Sequence, residues 1–327
     1  MEKRVDINKK EKVLIIKTGY SEVLDKEEDS RKVSLGDVLR TTTLLNYYKN
    51  HDVTWLTDVY ALPLLERNPL INRLLTLDFW SSIQLQSEEF DTIVNLEKNR
   101  KICEFVRRLD AWKKYGFRFD SKNNRIEAYD RAFEILSVGS DTNVKKENDR
   151  YLQSLLFETV GAKWDGEEYT LGYKPKTKEK YDVNLNTQVG PKWPTKAWSK
   201  KNWAKLEELL EKDGLKVTRQ DKQPTEILTN LNNYIDWINS GKLTVTIDSL
   251  GLHLGIVLKK KVIGLFGPTP YKEVYFYGRG KAIFPEPIWG CIPCFERKCK
   301  RTRNCMENIS VEKVYEETIS LLGGVLK

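Results

Sequence analysis

The sequence predicts an α/β protein of two domains, and three observations agree on this fold class. The chain has 327 residues, which is too long for one ordinary hydrophobic core and suits two domains. Short apolar runs rich in β-branched residues, as at 13–16 and 92–96, alternate with segments of helical periodicity, which is typical of parallel sheets. The alternation occurs twice, on either side of a Pro- and Lys-containing stretch at 174–180. We expect one domain over residues 1–172 and a second over 173–327.

The first domain opens with the buried strand at 13–16, followed by a polar loop and by a helix that begins near Ser34. Further strands are predicted at 53–56, 74–77 and 92–96, with a helix at 61–67. The second domain repeats this plan. Its predicted strands are 182–186, 216–218, 243–247 and 261–266, and its predicted helices are 200–212, 250–258 and 311–322.

Composition excludes several classes of protein. Nine Trp, fifteen Tyr and eleven Phe argue against a disordered chain. No apolar run approaches the ~20 residues of a membrane span, and the first residues lack the apolar segment of a secretory signal, so we expect a cytoplasmic protein. The net charge of +8 suits an anionic partner, although a basic solvated surface explains it equally well.

A first candidate site follows the opening strand, where Ser34, Gly36 and Asp37 precede or begin a helix. Ligands bind at the carboxyl ends of parallel strands, and a helix N-terminus attracts anions. The alternative is that Asp37 only caps its helix, because Asp is a favoured capping residue.

A second candidate site lies in the second domain. The loop at 186–198 offers lysines and threonines that can hold a diphosphate, although it also reads as a Pro-punctuated turn with solvated lysines. Asp248 and Ser249 end one predicted strand, and Gly267 and Thr269 end the next at the same edge of the sheet, a placement that suits a sugar hydroxyl beside a phosphate. His253, on an apolar helix, is more often structural than catalytic.

Five segments in this order resemble glycosyltransferase family 9, the heptosyltransferase family: SLGDVLRTT at 34–42, WPTKAW at 193–198, DSLGLHL at 248–254, LFGPT at 265–269 and a closing cysteine cluster. The resemblance implies a GT-B fold, in which two Rossmann-like domains face each other across a cleft. It also implies that the N-terminal domain binds the acceptor and the C-terminal domain a nucleotide-activated sugar, usually ADP-heptose.

The resemblance also implies roles for single residues. Asp37 falls where the family has its general base, Lys196 where a lysine neutralises the leaving diphosphate, and Asp248 where an aspartate contacts the donor sugar. We add the neighbouring residues as candidates: Thr187, Lys192, Thr195, Ser249, His253, Gly267 and Thr269 on the donor side, and Ser34, Gly36 and Arg40 on the acceptor side. Family members invert the anomeric carbon in one displacement without a metal at the phosphate, and no Asp-x-Asp occurs in this chain.

Three features depart from the family pattern. Residues 20–33 form an insertion before the Ser34–Asp37 motif, and position 188 is Gln where the family often has Gly. The stretch between Thr218 and Asn230 is short and lacks the glycine-bearing loop and strand of the family, which is compatible with a donor other than ADP-heptose and with weak or lost donor binding.

The cysteine cluster contains Cys291, Cys294, Cys299 and Cys305, a spacing compact enough to surround one tetrahedral ion. A structural Zn or Fe ion and a reduced, packed cluster are both compatible with it. The spacing of the first three is also that of a zinc knuckle, which would indicate a nucleic-acid module. Cys103 is expected to be a small core residue.

The leading hypothesis is an inverting glycosyltransferase that moves a heptose or related sugar from a nucleotide donor to a glycan, such as lipopolysaccharide core, or to a protein. It needs no catalytic cofactor and no nucleic acid, and it would work in the cytoplasm, with peripheral attachment to the membrane face as a further expectation. The alternative is a catalytically weak sugar- or nucleic-acid-binding protein.

Overall fold

The computed structural model describes residues 10–20, 33–190 and 193–323. The chain divides into two compact units, one of Met1–Asp141 with Leu152–Tyr173 and one of Thr142–Tyr151 with Lys174–Lys327. The chain thus passes between units close to residue 173. The segment Thr142–Tyr151, which the sequence pattern places in the first domain, lies instead with the second unit. No helix in the described ranges is long and apolar enough to cross a membrane.

The first unit is built on a six-stranded sheet. Its strands are β1 (Lys12–Ile16), β2 (Asp52–Thr57), β3 (Arg73–Thr76), β4 (Glu89–Asn95), β5 (Asp110–Asp120) and β6 (Arg125–Ala128). Their order is β3-β2-β1-β4-β5-β6, and every pair is parallel except β5 with β6. The helices are α1 (Leu35–Thr41), α2 (Leu62–Leu65), α3 (Phe79–Gln86), α4 (Arg100–Arg108), α5 (Phe133–Ser140) and α7 (Leu152–Thr159), while α6 (Thr142–Glu147) belongs to the second unit.

Burial explains why these strands form. Leu14 and Ile16 of β1 pack with Ile93 of β4 and with Ile102 and Val106 of α4, all almost fully buried. A strand covered by helices on both faces is continuously apolar rather than alternating. The sequence predicted the strands β1, β2, β3 and β4, and the structure confirms all four.

The second unit contains a five-stranded sheet that is entirely parallel, in the order β11-β10-β9-β7-β8. Its strands are β7 (Tyr181–Asn186), β8 (Val217–Arg219), β9 (Gly241–Ile247), β10 (Lys261–Leu265) and β11 (Gly280–Ile283). Its further helices are α8 (Lys200–Lys212), α9 (Thr225–Thr229), α10 (Leu231–Asn239), α11 (Leu250–Val257) and α12 (Val311–Leu322). The three-residue β8 forms one edge.

The amphipathic helices α8 and α12 have the predicted bounds, and both cover this second sheet. Trp203 and Leu206 of α8 pack in one core with Val245 of β9 and Val314 of α12. Helix α12 is closed at both ends, since Ser310 accepts a hydrogen bond from the Lys313 amide and Gly323 adopts the left-handed conformation with φ 84°.

Each sheet has one position where successive connections leave in opposite directions. In the first unit this position lies between β1 and β4, and in the second it lies between β7 and β9. Open parallel sheets bind ligands at the carboxyl ends of the two strands that flank such a position. These two places therefore define where functional side chains are sought.

Candidate active site

In the second unit, Lys196 and Asp248 meet at the position between β7 and β9. Lys196 ends a short 3-10 turn, Pro194–Lys196, and Asp248 directly follows β9. The Lys196 Nζ donates to Asp248 Oδ2 at 2.8 Å and to the Asp248 carbonyl oxygen at 3.1 Å. Both side chains are largely buried, with 14% and 18% of their surface exposed.

The charge on Asp248 is strongly favoured. Burial by itself raises the pKa of this carboxyl, but attraction to Lys196 and His253 and the hydrogen bond from Lys196 outweigh burial. The net pKa of Asp248 is well below its usual range, so the carboxylate is ionised at neutral pH. An ammonium has three N–H donors, and Lys196 uses two of them on Asp248. The third can bind an anionic ligand.

A buried network fixes the strand ends beside this pair. Asn186, the last residue of β7, donates from Nδ2 to Thr246 Oγ1 at 2.8 Å and to Ser249 Oγ at 3.1 Å. Its Oδ1 accepts from the Tyr234 hydroxyl at 2.8 Å. A Cβ on Gly251 would lie only 2.4 Å from Asn186 Nδ2 and 2.7 Å from the Tyr234 oxygen, so glycine is required there. Ser249 is thus held in place, and Asn186 and Tyr234 are two site residues that the sequence analysis missed.

The loop after β7 has one anchored and one unpartnered polar group. The Gln188 amide donates to Gln220 Oε1 at 2.8 Å, which ties this loop to the residue after β8. The buried Thr187 Oγ1 has no hydrogen-bond partner among the described residues. An unpartnered buried hydroxyl is costly, and a ligand that bonds to it removes that cost. Lys192, predicted to bind the donor, lies outside the described residues.

Two predicted donor-side residues have structural roles instead. Thr195 is buried, and its hydroxyl donates to the Glu296 carbonyl oxygen at 2.7 Å, so its one O–H is already used. A Cβ on Gly267 would lie 2.6 Å from Met306 Sδ and 2.9 Å from Cys305 Sγ, so this glycine permits close packing of the chain on itself. His253 is buried on α11 and acts on the site through the charge of Asp248.

In the first unit, the predicted acceptor-side residues lie at the start of α1. Ser34 is the N-cap residue, and Asp37 lies in the first turn with its Oδ1 3.7 Å from Arg40 Nη1. The alternative that Asp37 caps the helix is therefore wrong. Gly36 is part of the same turn. Asp37 keeps 31% of its side chain exposed, which leaves it accessible to a substrate.

The backbone that leads to Asp37 is held by a second lysine–carboxylate pair. The buried Glu97, which follows β4, accepts from the amides of Thr18 and Gly19 at 2.7 and 2.8 Å. Lys17 Nζ lies 3.3 Å from Glu97 Oε1. The Gly19 carbonyl in turn accepts from the Ser34 amide at 2.9 Å, so the two ends of the insertion are joined. Asp37 consequently starts from a fixed position relative to β1.

Comparison with known proteins assigns the family. The model for glycosyltransferase family 9 (heptosyltransferase) matches residues 81–304, more than half of the chain. The chain belongs to glycosyltransferase family 9. Lipooligosaccharide heptosyltransferase 2 of Campylobacter jejuni is 32% identical over 81 residues, which cover 24% of this chain and 25% of that protein. The chain thus spans about a quarter of the length of the curated relatives it matches.

Solved structures of family 9 proteins extend the similarity to nearly the whole chain. The E. coli ADP-heptose LPS heptosyltransferase II has a TM-score of 0.65 at 14% identity, with 95% of this chain and 98% of that chain covered. The iron-containing dodecameric glycosyltransferase TibC from enterotoxigenic E. coli has a TM-score of 0.56 at 14% identity, with 96% of this chain and 76% of that chain covered. These likenesses confirm the predicted GT-B fold.

The structure does not show the metal site that was one of the two alternatives for the four clustered cysteines. All are free thiols, and no group of three or more His, Cys, Asp or Glu side chains within residues 10–20, 33–190 and 193–323 is arranged to hold a metal ion. Burial raises the pKa of Cys294 and raises that of Cys305 to about 11. Cys305 and Met306 belong to the core of the second unit, and the zinc-knuckle alternative for Cys291, Cys294 and Cys299 stays a prediction.

Proposed function

We propose that this family 9 protein is an inverting glycosyltransferase that moves a heptose from a nucleotide donor such as ADP-heptose to a glycan acceptor. The observation that carries the proposal is the Lys196–Asp248 pair at the carboxyl edge of β7 and β9. The pair supplies a fixed cation with one N–H to spare and a carboxylate that stays charged. Those are the groups needed to hold a diphosphate and the hydroxyls of the attached sugar.

The reaction is a single displacement. The acceptor oxygen attacks the anomeric carbon as the bond from that carbon to the diphosphate oxygen breaks, and its electron pair leaves with the diphosphate. Asp37 takes the proton of the attacking hydroxyl, oriented by Arg40. Lys196 stabilises the negative charge that develops on the leaving group, and the amides at the start of α11 add to that stabilisation. Asp248 orients the donor sugar while keeping the Lys196 ammonium in place.

The end of β8 supports a donor preference that differs from that of relatives with a longer connection. Arg219 is held by Asp221 and Glu207 at 2.7 and 3.0 Å, and Lys222 also pairs with Glu207 at 2.8 Å. These cations are therefore engaged within the protein. We propose that the nucleotide base is read by this compact network, so ADP, UDP and GDP need to be compared directly.

The test is a product assay with a panel of nucleotide sugars that includes ADP-heptose, read by mass spectrometry with lipooligosaccharide-type glycans and a protein as acceptors. We expect a glycan product that is one heptose heavier, and calorimetry should show binding of the nucleoside diphosphate. Nucleoside diphosphate binding without any product would favour the weak-binding alternative. Binding of single-stranded RNA instead would contradict the proposal.

We also propose that the first unit attaches peripherally to an anionic membrane surface through the side formed by α3 and α4. Leu85 of α3 packs with Ile102 of α4, so the helices are neighbours. Phe79 and Trp80, at the start of α3, are 68% and 77% exposed. Beside them, α4 carries four cations against one carboxylate, and a cavity of about 340 Å³ is lined by Gln86, Arg100, Lys101, Glu104, Phe105 and Arg108. Exposed aromatic rings beside Lys and Arg suit the headgroup region of a bilayer.

Vesicle sedimentation tests this attachment. We expect binding to vesicles rich in anionic lipid, weak binding to neutral vesicles, and loss of binding in Trp80→Ser. Phe133→Ser is the matched control, because Phe133 is 71% exposed but lies at the start of α5. Equal binding of both variants, or of neutral and anionic vesicles, would contradict the assignment of this surface.

A further inference from the structure

The segment 291–305, called here the cysteine loop, is bonded to the turn that carries Lys196. Thr195 is the point of attachment. Its hydroxyl donates to the Glu296 carbonyl oxygen at 2.7 Å, and its own carbonyl oxygen accepts from Asn304 Nδ2 at 2.8 Å. Two residues of the cysteine loop, one near its middle and one near its end, therefore contact Thr195, which directly precedes Lys196.

The cysteine loop also contacts the segment after β10. The Phe295 amide donates to the Pro268 carbonyl oxygen at 2.9 Å, and Cys305 fills the space beside Gly267. This segment directly follows β10, and the Asp248 amide donates to the carbonyl oxygen of Leu265, the last residue of β10, at 3.3 Å. The loop thus bonds to the chain on either side of the Lys196–Asp248 pair and is itself anchored in the core by Met306.

The turn at Pro194–Lys196 is too short to hold its own position. Inside it, the Lys196 amide donates to the Trp193 carbonyl and the Ala197 amide to the Pro194 carbonyl, both at 3.1 Å. Bonds within one turn fix its shape but not its place in the protein. The contacts of Thr195 and the bond from Trp198 Nε1 to the Ile309 carbonyl supply that placement. A displacement of the lysine by even 1 Å would weaken its contacts.

We propose that the cysteine loop positions Lys196 for the diphosphate, with Asn304 and Thr195 as positioning residues. The inference rests on the proposed function, since it concerns the same donor site. It replaces the expected role of Thr195 as a contact to the donor. It also explains why a loop with little apolar content is bonded to both segments that flank the ion pair.

Asn304 offers a variant that separates positioning from capping. Its Nδ2 donates to Thr195, whereas its Oδ1 accepts from the Met306 amide at 3.1 Å and caps the turn Cys305–Asn308. Asn304→Asp keeps an oxygen for the cap but has no N–H for Thr195, and it places a carboxylate against a carbonyl oxygen. We expect Asn304→Asp and Thr195→Val each to weaken ADP binding by about tenfold, the size of one hydrogen bond.

The controls are Thr195→Ser, which keeps the hydroxyl, and Lys300→Ala, whose exposed side chain in the same loop pairs with the Glu296 carboxylate. Both should bind ADP as the wild type does, with all melting temperatures alike. In a full assay, KM for the donor should rise in Asn304→Asp more than kcat falls. Wild-type ADP affinity in Asn304→Asp would overturn the inference.

Hydrogen exchange provides a readout that does not depend on ADP. The amides of Lys196 and Ala197 should exchange faster in Asn304→Asp than in the wild type, while those of α8 should not change. If the wild type binds no nucleoside diphosphate, the proposed function fails, yet this exchange experiment still tests the positioning. Unchanged exchange at residues 196 and 197 would overturn it in either case.

Discussion

The two units place a lysine–carboxylate pair at equivalent positions in their sheets, but the two pairs have different surroundings. Lys17 and Glu97 in the first unit are 8% and 0% exposed, whereas Lys196 and Asp248 in the second are 14% and 18% exposed. The Glu97 carboxylate accepts hydrogen bonds from two backbone amides, and Lys17 donates to the Leu96 carbonyl oxygen. Lys196 retains an N–H for a ligand. At the same topological position, the pair of the first unit thus orders a backbone loop, whereas the pair of the second unit offers an N–H group to a ligand.

The two pairs differ in what they bind, because the first pair bonds to backbone groups and the second leaves an N–H available to a ligand. In the first unit, the proposed functional carboxylate is that of Asp37, which lies in the first turn of α1 and is linked to the pair through Gly19 and Ser34. Gly19 has φ 88°, and a Cβ there would lie 2.9 Å from Val33 Cγ1. In the second unit, the pair itself is the proposed binding group. Five substitutions, one of them only in a double variant, can break or sharpen this contrast.

The largest effect is expected for Asp37→Asn. Loss of a general base costs about 10²–10⁴ in rate, so sugar transfer should fall by that factor while ADP binding is unchanged. The control is Asp78→Asn, which neutralises a helix-capping carboxylate in the same unit, at the start of α3. Full turnover in Asp37→Asn would show that the base lies elsewhere.

Lys196→Ala should weaken ADP binding by about 1.5–3 kcal/mol, the value of a charge-assisted hydrogen bond. It also leaves the Asp248 carboxylate buried without its partner, a change that costs up to ~3–5 kcal/mol of stability. Lys196→Ala combined with Asp248→Asn should therefore be more stable than Lys196→Ala alone, but equally poor in ADP binding. Urea unfolding and calorimetry measure the two quantities. A double variant that regains ADP affinity would remove the phosphate role from Lys196.

A substitution in the Lys17–Glu97 pair should lower stability without changing ADP affinity. Glu97→Gln replaces a carboxylate that accepts two backbone amides, so it should lower stability by about 1–3 kcal/mol and reduce transfer through the position of Asp37. ADP affinity should stay at the wild-type value, because the donor residues lie in the second unit. A drop in ADP affinity as large as that of Lys196→Ala would erase the distinction between the two pairs.

Much of this arrangement follows from the sequence, and the reasons are physical. Apolar runs predicted β1 and β4, because strands covered on both faces contain few polar residues. The strand β5 was missed because its charged residues, among them Lys113 and Lys114, interrupt the apolar pattern. Asp248 and Lys196 were both predicted to bind the donor. Their ion pair was not predicted, because 52 residues separate them along the chain.

The same limit applies to the residues that were missed or reassigned. Asn186 and Tyr234 meet across 48 residues, and the one signal for them was a polar Asn at the end of an apolar strand. Thr195 and Asn304 are 109 residues apart. Spacing predicted that four cysteines could surround an ion, but it contains no information on the packing of Cys305 against Gly267. Contacts between residues this far apart in the chain depend on how helices and strands pack together. The local sequence pattern contains no information on that packing.

The smallest expected effect is on the labelling rates of two buried thiols, Cys103 in the first unit and Cys305 in the second. Cys103 Sγ donates to the Glu97 carbonyl at 3.2 Å, and burial raises its pKa to about 12. Cys305 lies beside Gly267 with a pKa of about 11. The thiolate is the reactive form, so both should label slowly at pH 8, after the half-buried Cys291 and Cys299. The labelling rate of Cys305 should rise about tenfold per pH unit up to its pKa, since the thiolate fraction grows by that factor.

Asn304→Asp should speed the labelling of Cys305 several-fold, because it loosens the cysteine loop, and should leave Cys103 unchanged, because that thiol reports on the first unit alone. Mass spectrometry of labelled peptides measures both rates in one sample. Equal acceleration of the two thiols would indicate global loosening rather than a local change at the donor site. Protection of all four clustered cysteines until a chelator is added would show instead that they bind a metal, contrary to the arrangement of free thiols described above.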